Sequence, residues 1–230
     1  MRILRLSPTE ISEAAKKGSI TLGVMGLGYI GLPTALLFAK ANLQVIGRDI
    51  DASKIEKLRK GEVYAPGERG LKELLSQVRA RFTPTTEIEE LKDADVFILS
   101  VPTLLDSNNK IDLSDLKQAS YDVAKCLTKK ALVIVESTVP PGTTNETIIK
   151  ILEKESRLKA GTDFGVAVCP ERANPGAILS TMMERTRIIG GLDEQSLRAA
   201  TALYSLISKR DPLKVPDMRT AETVKVVENS

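Results

Sequence analysis

A single glycine-spaced turn limits what this chain can fold into. Gly23-Val24-Met25-Gly26-Leu27-Gly28-Tyr29-Ile30-Gly31-Leu32-Pro33 reads as the end of a buried strand, a tight turn and the start of a helix. Gly26, Gly28 and Gly31 form G-x-G-x-x-G. In that pattern the first glycine permits the turn. The second lets backbone approach a pyrophosphate, and the third packs helix against strand. The free N–H groups and positive dipole end of the following helix then suit phosphate. The glycines alone are weak evidence, but their flanks agree with them. Ile20-Thr21-Leu22 precedes as strand, and Thr34 to Lys40 follows with helical apolar spacing. A second apolar run, Leu43 to Gly47, leads to Asp49. This acid stands close to the ~20 residues past the glycines at which a carboxylate meets ribose hydroxyls. Asp49 is therefore either a ribose ligand or a cap for the helix over 52–60, and Asp51 competes for the capping role.

Further along, two continuous apolar runs read as strands buried on both faces of a parallel sheet: Asp95 to Val101, and Ala131 to Glu136. Each runs into a polar loop. The first is Pro102-Thr103, followed by the loop Leu104 to Ile111; the second is Ser137-Thr138-Val139-Pro140-Pro141-Gly142-Thr143-Thr144. Ligands of doubly wound sheets bind at the carboxyl ends of strands, which places Thr103 near the dinucleotide. Thr143 and Thr144 read as caps of a helix over 145–155, which leaves Ser137 and Thr138 less well explained. A strand over 163–169 ends in Pro170-Glu171-Arg172, either a surface ion pair or an acid/base group with an anchor for phosphate or sugar. The rest reads as a short helix after Asn174-Pro175-Gly176, a strand over 187–191, a helix over 194–208, a strand over 213–215 and a last helix from Asp217.

The repeated strand–helix pattern predicts an α/β fold, a doubly wound parallel sheet of Rossmann type over residues 19–215. Residues 1–18 are expected to be a capped helical extension packed on it, with Ser7 as cap and Gly18 as stop. Residues 216–230 are expected to begin a further helical region.

Composition narrows the chemistry. The chain has no histidine, which removes Ser-His and Cys-His pairs and the commonest metal ligand. Its two cysteines, Cys126 and Cys169, have no metal spacing and make no disulfide framework, so no metal is expected. Aromatic content of 3% with no Trp offers no stacking platform for bases, and a net charge of +3 from scattered residues suggests no nucleic-acid surface. Apolar runs are strand-sized and the N-terminus lacks a signal-peptide core, so a cytoplasmic protein with no membrane contact is expected.

Taken together the motifs resemble the UDP-glucose/GDP-mannose dehydrogenase family. They are Gly26 to Pro33, Asp49-Ile50-Asp51, Ser100-Val101-Pro102-Thr103, Glu136 to Thr144, Cys169-Pro170-Glu171-Arg172, Pro175-Gly176, Ile188-Ile189-Gly190-Gly191 and Ala221-Glu222-Thr223-Val224-Lys225 with Asn229. The match runs in order over residues 20–230. The resemblance implies NAD as cofactor, bound by Gly26, Gly28, Tyr29, Ile30, Gly31, Asp49, Pro102, Thr103 and Thr138. It also implies two successive oxidations at C6 of a UDP-sugar, from alcohol to aldehyde to a cysteine thioester hydrolysed to the uronate, in the service of polysaccharide biosynthesis. Thr138 would hold a water or the substrate hydroxyl, and Glu171 would be general base. Lys225 would stabilise an oxyanion, with Asn229 donating beside it one helical turn on. Without the resemblance, Lys225 reads as a solvated helix lysine. The motif forms look most like those of members acting on UDP-N-acetylhexosamines, UDP-N-acetylmannosamine first and UDP-N-acetylglucosamine next, with UDP-glucose as an alternative.

The chain also departs from the family pattern. Leu104 replaces the usual proline after Val-Pro-Thr, and no glycine-rich cysteine motif follows the lysine helix. Cys126 and Cys169 read as packed residues rather than nucleophiles. The chain is thus expected to be the N-terminal, cofactor-binding portion of a longer enzyme, inactive alone, with a non-catalytic NAD-binding or assembly module as the alternative reading. The apolar residues Val224, Val226 and Val227 of the last helix imply a homodimer or higher. Arg48 beside Asp49 raises NADP, but the acid repels a 2′-phosphate, so NAD is favoured.

Overall fold

The apolar runs line up in one sheet. The computed structural model describes residues 3–64, 68–107, 110–172 and 176–228. Its strands are β1 (Thr21–Met25), β2 (Gln44–Arg48), β3 (Phe82–Thr85), β4 (Val96–Leu99), β5 (Leu132–Val135), β6 (Gly165–Val168), β7 (Ile188–Gly191) and β8 (Leu213–Lys214). They lie in the order β3-β2-β1-β4-β5-β6-β7-β8, with the first six in sequence mutually parallel. The order reverses between β1 and β4, and such a switch point opens a crevice at the carboxyl ends of the strands.

Register levels that edge of the sheet. Met25 pairs with Leu99, Leu99 with Val135 and Val135 with Val168. The next residues along each strand, Gly26, Ser100, Glu136 and Cys169, therefore emerge side by side. The motifs that the sequence scatters over more than a hundred positions are gathered by this alignment.

Central strands with no polar alternation bury both faces. Val96 and Ile98 join Leu132, Ile134 and Ala167 in one core layer. Phe97 and Leu99 join Val133, Val135, Val166 and Val168 in the other. The first layer is covered by α1 (Pro8–Lys16), α2 (Gly31–Lys40), α3 (Ala52–Arg59), α4 (Leu71–Val78) and α8 (Glu194–Ser205). The second is covered by α5 (Ser114–Cys126), α6 (Ile149–Ser156) and α9 (Met218–Glu228). A short helix, α7 (Ile178–Glu184), lies between β6 and β7.

Helix α1 is closed by a capping box: Ser7 N–H donates to Glu10 and Glu10 N–H donates back to Ser7 Oγ. Its Ile11, Ala14 and Ala15 are buried in the first core layer, so the N-terminal extension is part of the core packing.

Two local expectations are corrected. β7 runs antiparallel to β6, not parallel. This brings the start of β7, and with it Arg187, to the edge where β6 ends. Thr143 and Thr144 do not cap the helix that follows them. The chain enters α6 through a π-helical turn, Thr144–Ile148, and Thr143 Oγ1 donates to Pro140 O at 2.7 Å. The orphan N–H groups are instead taken by Glu222 of α9, whose buried carboxylate accepts from Gly142 N at 2.5 Å and Thr144 N at 2.9 Å. The docked helix also shows less apolar surface than its sequence implies. Met218 and Ala221 are buried and Val224 packs against the core, while Val227 stays 68% exposed.

Candidate functional site

The three glycines do different work. Gly26 has φ 90°, which only glycine adopts without strain, and an added Cβ would stand 2.5 Å from Ser100 O. At Gly31 an added Cβ would stand 1.9 Å from Gly26 O, so the helix closes on the strand at backbone distance. At Gly28 an added Cβ meets nothing within 4 Å. The middle glycine thus faces open space at the crevice, where a bound group can reach the backbone.

Asp49 closes one side. Its buried carboxylate accepts from Leu27 N at 2.9 Å and Asp51 N at 3.0 Å, and pairs with Lys54 Nζ at 3.4 Å. Asp51 caps α3, accepting from Ser53 N at 2.9 Å and Lys54 N at 3.3 Å. Asp51 takes the cap, and Asp49 faces the glycine turn. Arg48 is committed elsewhere, to Asp122 at 3.0 Å and Thr86 O at 3.1 Å.

Two cavities flank Gly28. One of about 170 Å³ is lined by Gly26, Gly28, Asp49, Ile50, Lys54 and Pro102, among others. The other, of about 280 Å³, brings Tyr29, Ile30, Thr103, Glu136, Thr138 and Glu171 together around Gly28 and Pro102. The nine positions expected to bind cofactor thus border one crevice or, in the case of Gly31, hold its turn shut. Hydroxyls stitch the two strand-end loops that form its wall. Thr103 Oγ1 donates to Thr138 O at 2.7 Å, and Ser137 Oγ accepts from Val101 N at 3.0 Å while donating to Val101 O at 2.7 Å. At the rim Tyr29 donates to Glu68 at 2.6 Å; burial and that carboxylate push the phenol up to about 12.

Glu171 and Arg172 do not pair with each other through their side chains. Glu171 turns inward. Its Oε1 accepts from Arg172 N at 2.7 Å and its Oε2 from Arg187 Nη1. Arg172 turns outward to a bidentate pair with Glu228, with Nε to Oε2 at 2.5 Å, and donates to Thr186 O at 3.2 Å. Behind Glu171 the same Arg187 nitrogen lies 3.5 Å from Glu136, which accepts from Thr34 Oγ1 at 3.0 Å and Tyr204 OH at 3.2 Å. Burial pushes the Glu136 carboxyl up to about 7, against the pull of Arg187. Burial works against the Arg187 charge as well, but Glu171 and Glu136 hold the guanidinium protonated. Sequence reading missed Arg187 and gave Glu136 no role, because their meeting depends on the antiparallel turn of β7.

Lys225 is half-buried on α9, and burial lowers its pKa against the opposing fields of Glu228 and Glu171. Asn229 lies outside the described residues. Cys169 is buried beneath the site with its thiol pushed up, chiefly by burial. Cys126 is buried on α5, its Sγ 3.2 Å from Ile88 O. Among the described residues, no cluster of three or more His, Cys, Asp or Glu could hold a metal ion.

An open glycine backbone, a buried carboxylate aimed at it and a cavity on each side fit an extended dinucleotide. Comparison with known proteins agrees. Residues 20–208 match the model of the UDP-glucose/GDP-mannose dehydrogenase family, NAD binding domain. The chain belongs to this family. The matched domain is its NAD-binding portion, and NAD is the cofactor. UDP-N-acetyl-D-mannosamine dehydrogenase of Pyrococcus horikoshii is 42% identical over 213 residues, covering 91% of this chain and 50% of that protein. UDP-N-acetyl-D-glucosamine 6-dehydrogenase of Pseudomonas aeruginosa is 35% identical over 211 residues, covering 92% and 49%. The solved structure of the Pyrococcus horikoshii UDP-D-ManNAc dehydrogenase superposes with a TM-score of 0.87 at 39% identity, covering 91% of this chain and 50% of that one. The chain therefore spans about half the length of the curated relatives it matches. Among the described residues, no helix is long and apolar enough to cross a membrane.

Proposed function

We propose that this chain is the cofactor-binding portion of an NAD-dependent UDP-N-acetylhexosamine 6-dehydrogenase, with UDP-N-acetyl-D-mannosamine as substrate. The observation that carries this is the shared cavity. The glycine turn and Thr103 on its cofactor side meet Thr138 and Glu171 on the other. The similarity to dehydrogenases of UDP-N-acetyl-D-mannosamine supports the choice of sugar.

In this reading Asp49 would hold the adenosine ribose hydroxyls, the backbone at Gly28 would receive the pyrophosphate, and Pro102, Thr103, Thr138, Tyr29 and Ile30 would hold the nicotinamide end. When bound, NAD would supply the hydride acceptor for each of the two oxidations at C6. Glu171, held by its pair with Arg187, takes the proton from the attacking water. Thr138 orients that water or the C6 hydroxyl. Lys225 faces the oxygen at which negative charge develops, with Asn229 as a further donor. Burial that lowers the Lys225 pKa also strips its hydration, which strengthens its field at short range. The nucleophilic thiol belongs to a region outside this chain, since both cysteines here are buried in packing roles. We place the protein in the cytoplasm as a homodimer or higher, with residues 216–230 opening a central helix and Val227 facing a partner. No nucleic acid or membrane enters the reading.

The test is NADH formation. The chain alone, given NAD and UDP-N-acetyl-D-mannosamine, is expected to bind cofactor and form no NADH. Joined to the C-terminal half of the Pyrococcus horikoshii relative, it is expected to reduce two NAD per sugar. NADH formation by the chain alone would overturn the placement of the thiol, and a folded, NAD-binding chimaera without turnover would favour the assembly module.

A further inference from the structure

The cavity between Gly28 and Glu171 has an unusual electrical wall. The charged residues on its lining are Glu136 and Glu171, both acids, and the Glu136 side chain is fully buried beneath the wall. The cation that pairs with them, Arg187, is buried with them and is not among the lining residues, so two acids stand against one cation beneath this cavity. Glu136 is the deeper of the two. It is enclosed by Thr34 of α2, Tyr204 of α8, Arg187 beside β7, and Glu171 and Cys169 past the end of β6. Lys225 of α9 acts on this cluster through Glu171. Glu171 has an assigned role in the proposed chemistry; Glu136 has none.

The two redox forms of the cofactor share the same adenosine, pyrophosphate and riboses. They differ at the nicotinamide, which carries a positive charge when oxidised and none when reduced. A fixed negative charge at that end therefore separates their affinities, and a low-dielectric surround enlarges the separation. We infer that Glu136 is a specificity-determining residue for the redox state of the cofactor: its buried carboxylate makes this cavity favour oxidised over reduced nicotinamide. The inference rests on the reading of this cavity as the nicotinamide site. It gives an electrostatic reason for a dehydrogenase to release its reduced product and take up fresh NAD. Linkage makes the effect reciprocal, so that oxidised nicotinamide in turn favours the ionised form of Glu136.

Because burial pushes Glu136 up to about 7, the preference should be switched by pH within an accessible range. The experiment is calorimetric titration of the 230-residue chain with NAD, NADH and ADP-ribose, which lacks the nicotinamide, across this range. The ratio of the NADH to the NAD dissociation constant should rise about three- to tenfold from about pH 5.5 to pH 8.5, the size expected of one partly screened charge. ADP-ribose should show no matching change. Glu136→Gln removes the charge and keeps one acceptor, its NH2 donating to whichever hydroxyl of Thr34 or Tyr204 turns to accept, so the ratio should stay at its low-pH value throughout. If that variant fails to fold, Thr34→Val serves instead. Loss of a hydrogen bond to the ionised form should move the midpoint upward. A flat ratio in the wild-type chain, or an unchanged pH dependence in Glu136→Gln, or an unmoved midpoint in Thr34→Val, would overturn the inference while leaving the NAD site intact. Failure of all three ligands to bind would overturn the NAD site and the inference with it.

Discussion

Replacing Gly28 with alanine separates what the glycine turn does for the fold from what it does for the ligand. The added methyl meets no atom within 4 Å, and Gly28 is not among the residues with positive φ. Stability should therefore change by no more than about 0.5 kcal/mol, as at an unconstrained surface site. The same methyl at Gly31 would land 1.9 Å from Gly26 O, and at Gly26 it would land 2.5 Å from Ser100 O on a backbone at φ 90°. Both obstructions are backbone atoms of the sheet edge and cannot swing aside. Costs above about 4 kcal/mol follow for these two, a large part of the ~5–15 kcal/mol that holds a typical domain together. Binding should show a different pattern. If the open face of Gly28 is where pyrophosphate meets backbone, Gly28→Ala should weaken NAD at least about 100-fold, or about 2.7 kcal/mol. Urea unfolding gives the first quantity and calorimetric titration with NAD the second. A stable Gly28→Ala chain that binds NAD as the wild type does would refute the reasoning. So would a Gly31→Ala chain of unchanged stability.

Other residues give equally direct tests. Asp49→Asn should weaken NAD about tenfold and strengthen NADP by a similar factor, since it turns one of the two proposed ribose acceptors into a donor and removes the charge that repels a 2′-phosphate; paired titrations with the two cofactors measure this. Glu222→Ala leaves the N–H groups of Gly142 and Thr144 buried without an acceptor and should cost about 2–4 kcal/mol in urea unfolding. Arg187→Met leaves Glu171 and Glu136 buried without their cation and should cost about 3–5 kcal/mol near pH 8. The sign of its pH dependence follows from Glu136, whose carboxyl is raised from 4.5 to about 7 even with the cation present. A raised carboxyl stabilises the fold below its unfolded value and loses that contribution as pH rises through its folded value, so the Arg187→Met deficit should shrink toward pH 5. Equal deficits at both pH values in urea unfolding would contradict this.

The parts of the site that were legible in the sequence are those carried by local pattern. Gly26, Gly28 and Gly31 announced a turn, and the all-apolar runs at Val96–Leu99 and Leu132–Val135 announced strands buried on both faces. The parallel order then had to bring their C-terminal loops, with Thr103 and Thr138, to one edge. What stayed hidden depends on partners distant in the chain. Thr143 and Thr144 have the chemistry of caps, yet Glu222, some eighty residues away, takes the N–H groups of Gly142 and Thr144 once α9 docks. Arg172 adjoins Glu171 in sequence but turns to Glu228, whereas Arg187 reaches Glu171 because β7 reverses direction. Asp49 and Asp51 are both acids before a helix, and only the position of the glycine turn separates the acid that faces it from the cap.

The roles proposed for Asp49, Thr103, Thr138 and Glu171 all depend on the crevice at Gly28 being an NAD site. Calorimetric titration of the 230-residue chain with NAD tests it most directly. One NAD bound per chain, with NADP weaker, is the predicted result; no saturable binding by a folded chain would contradict it.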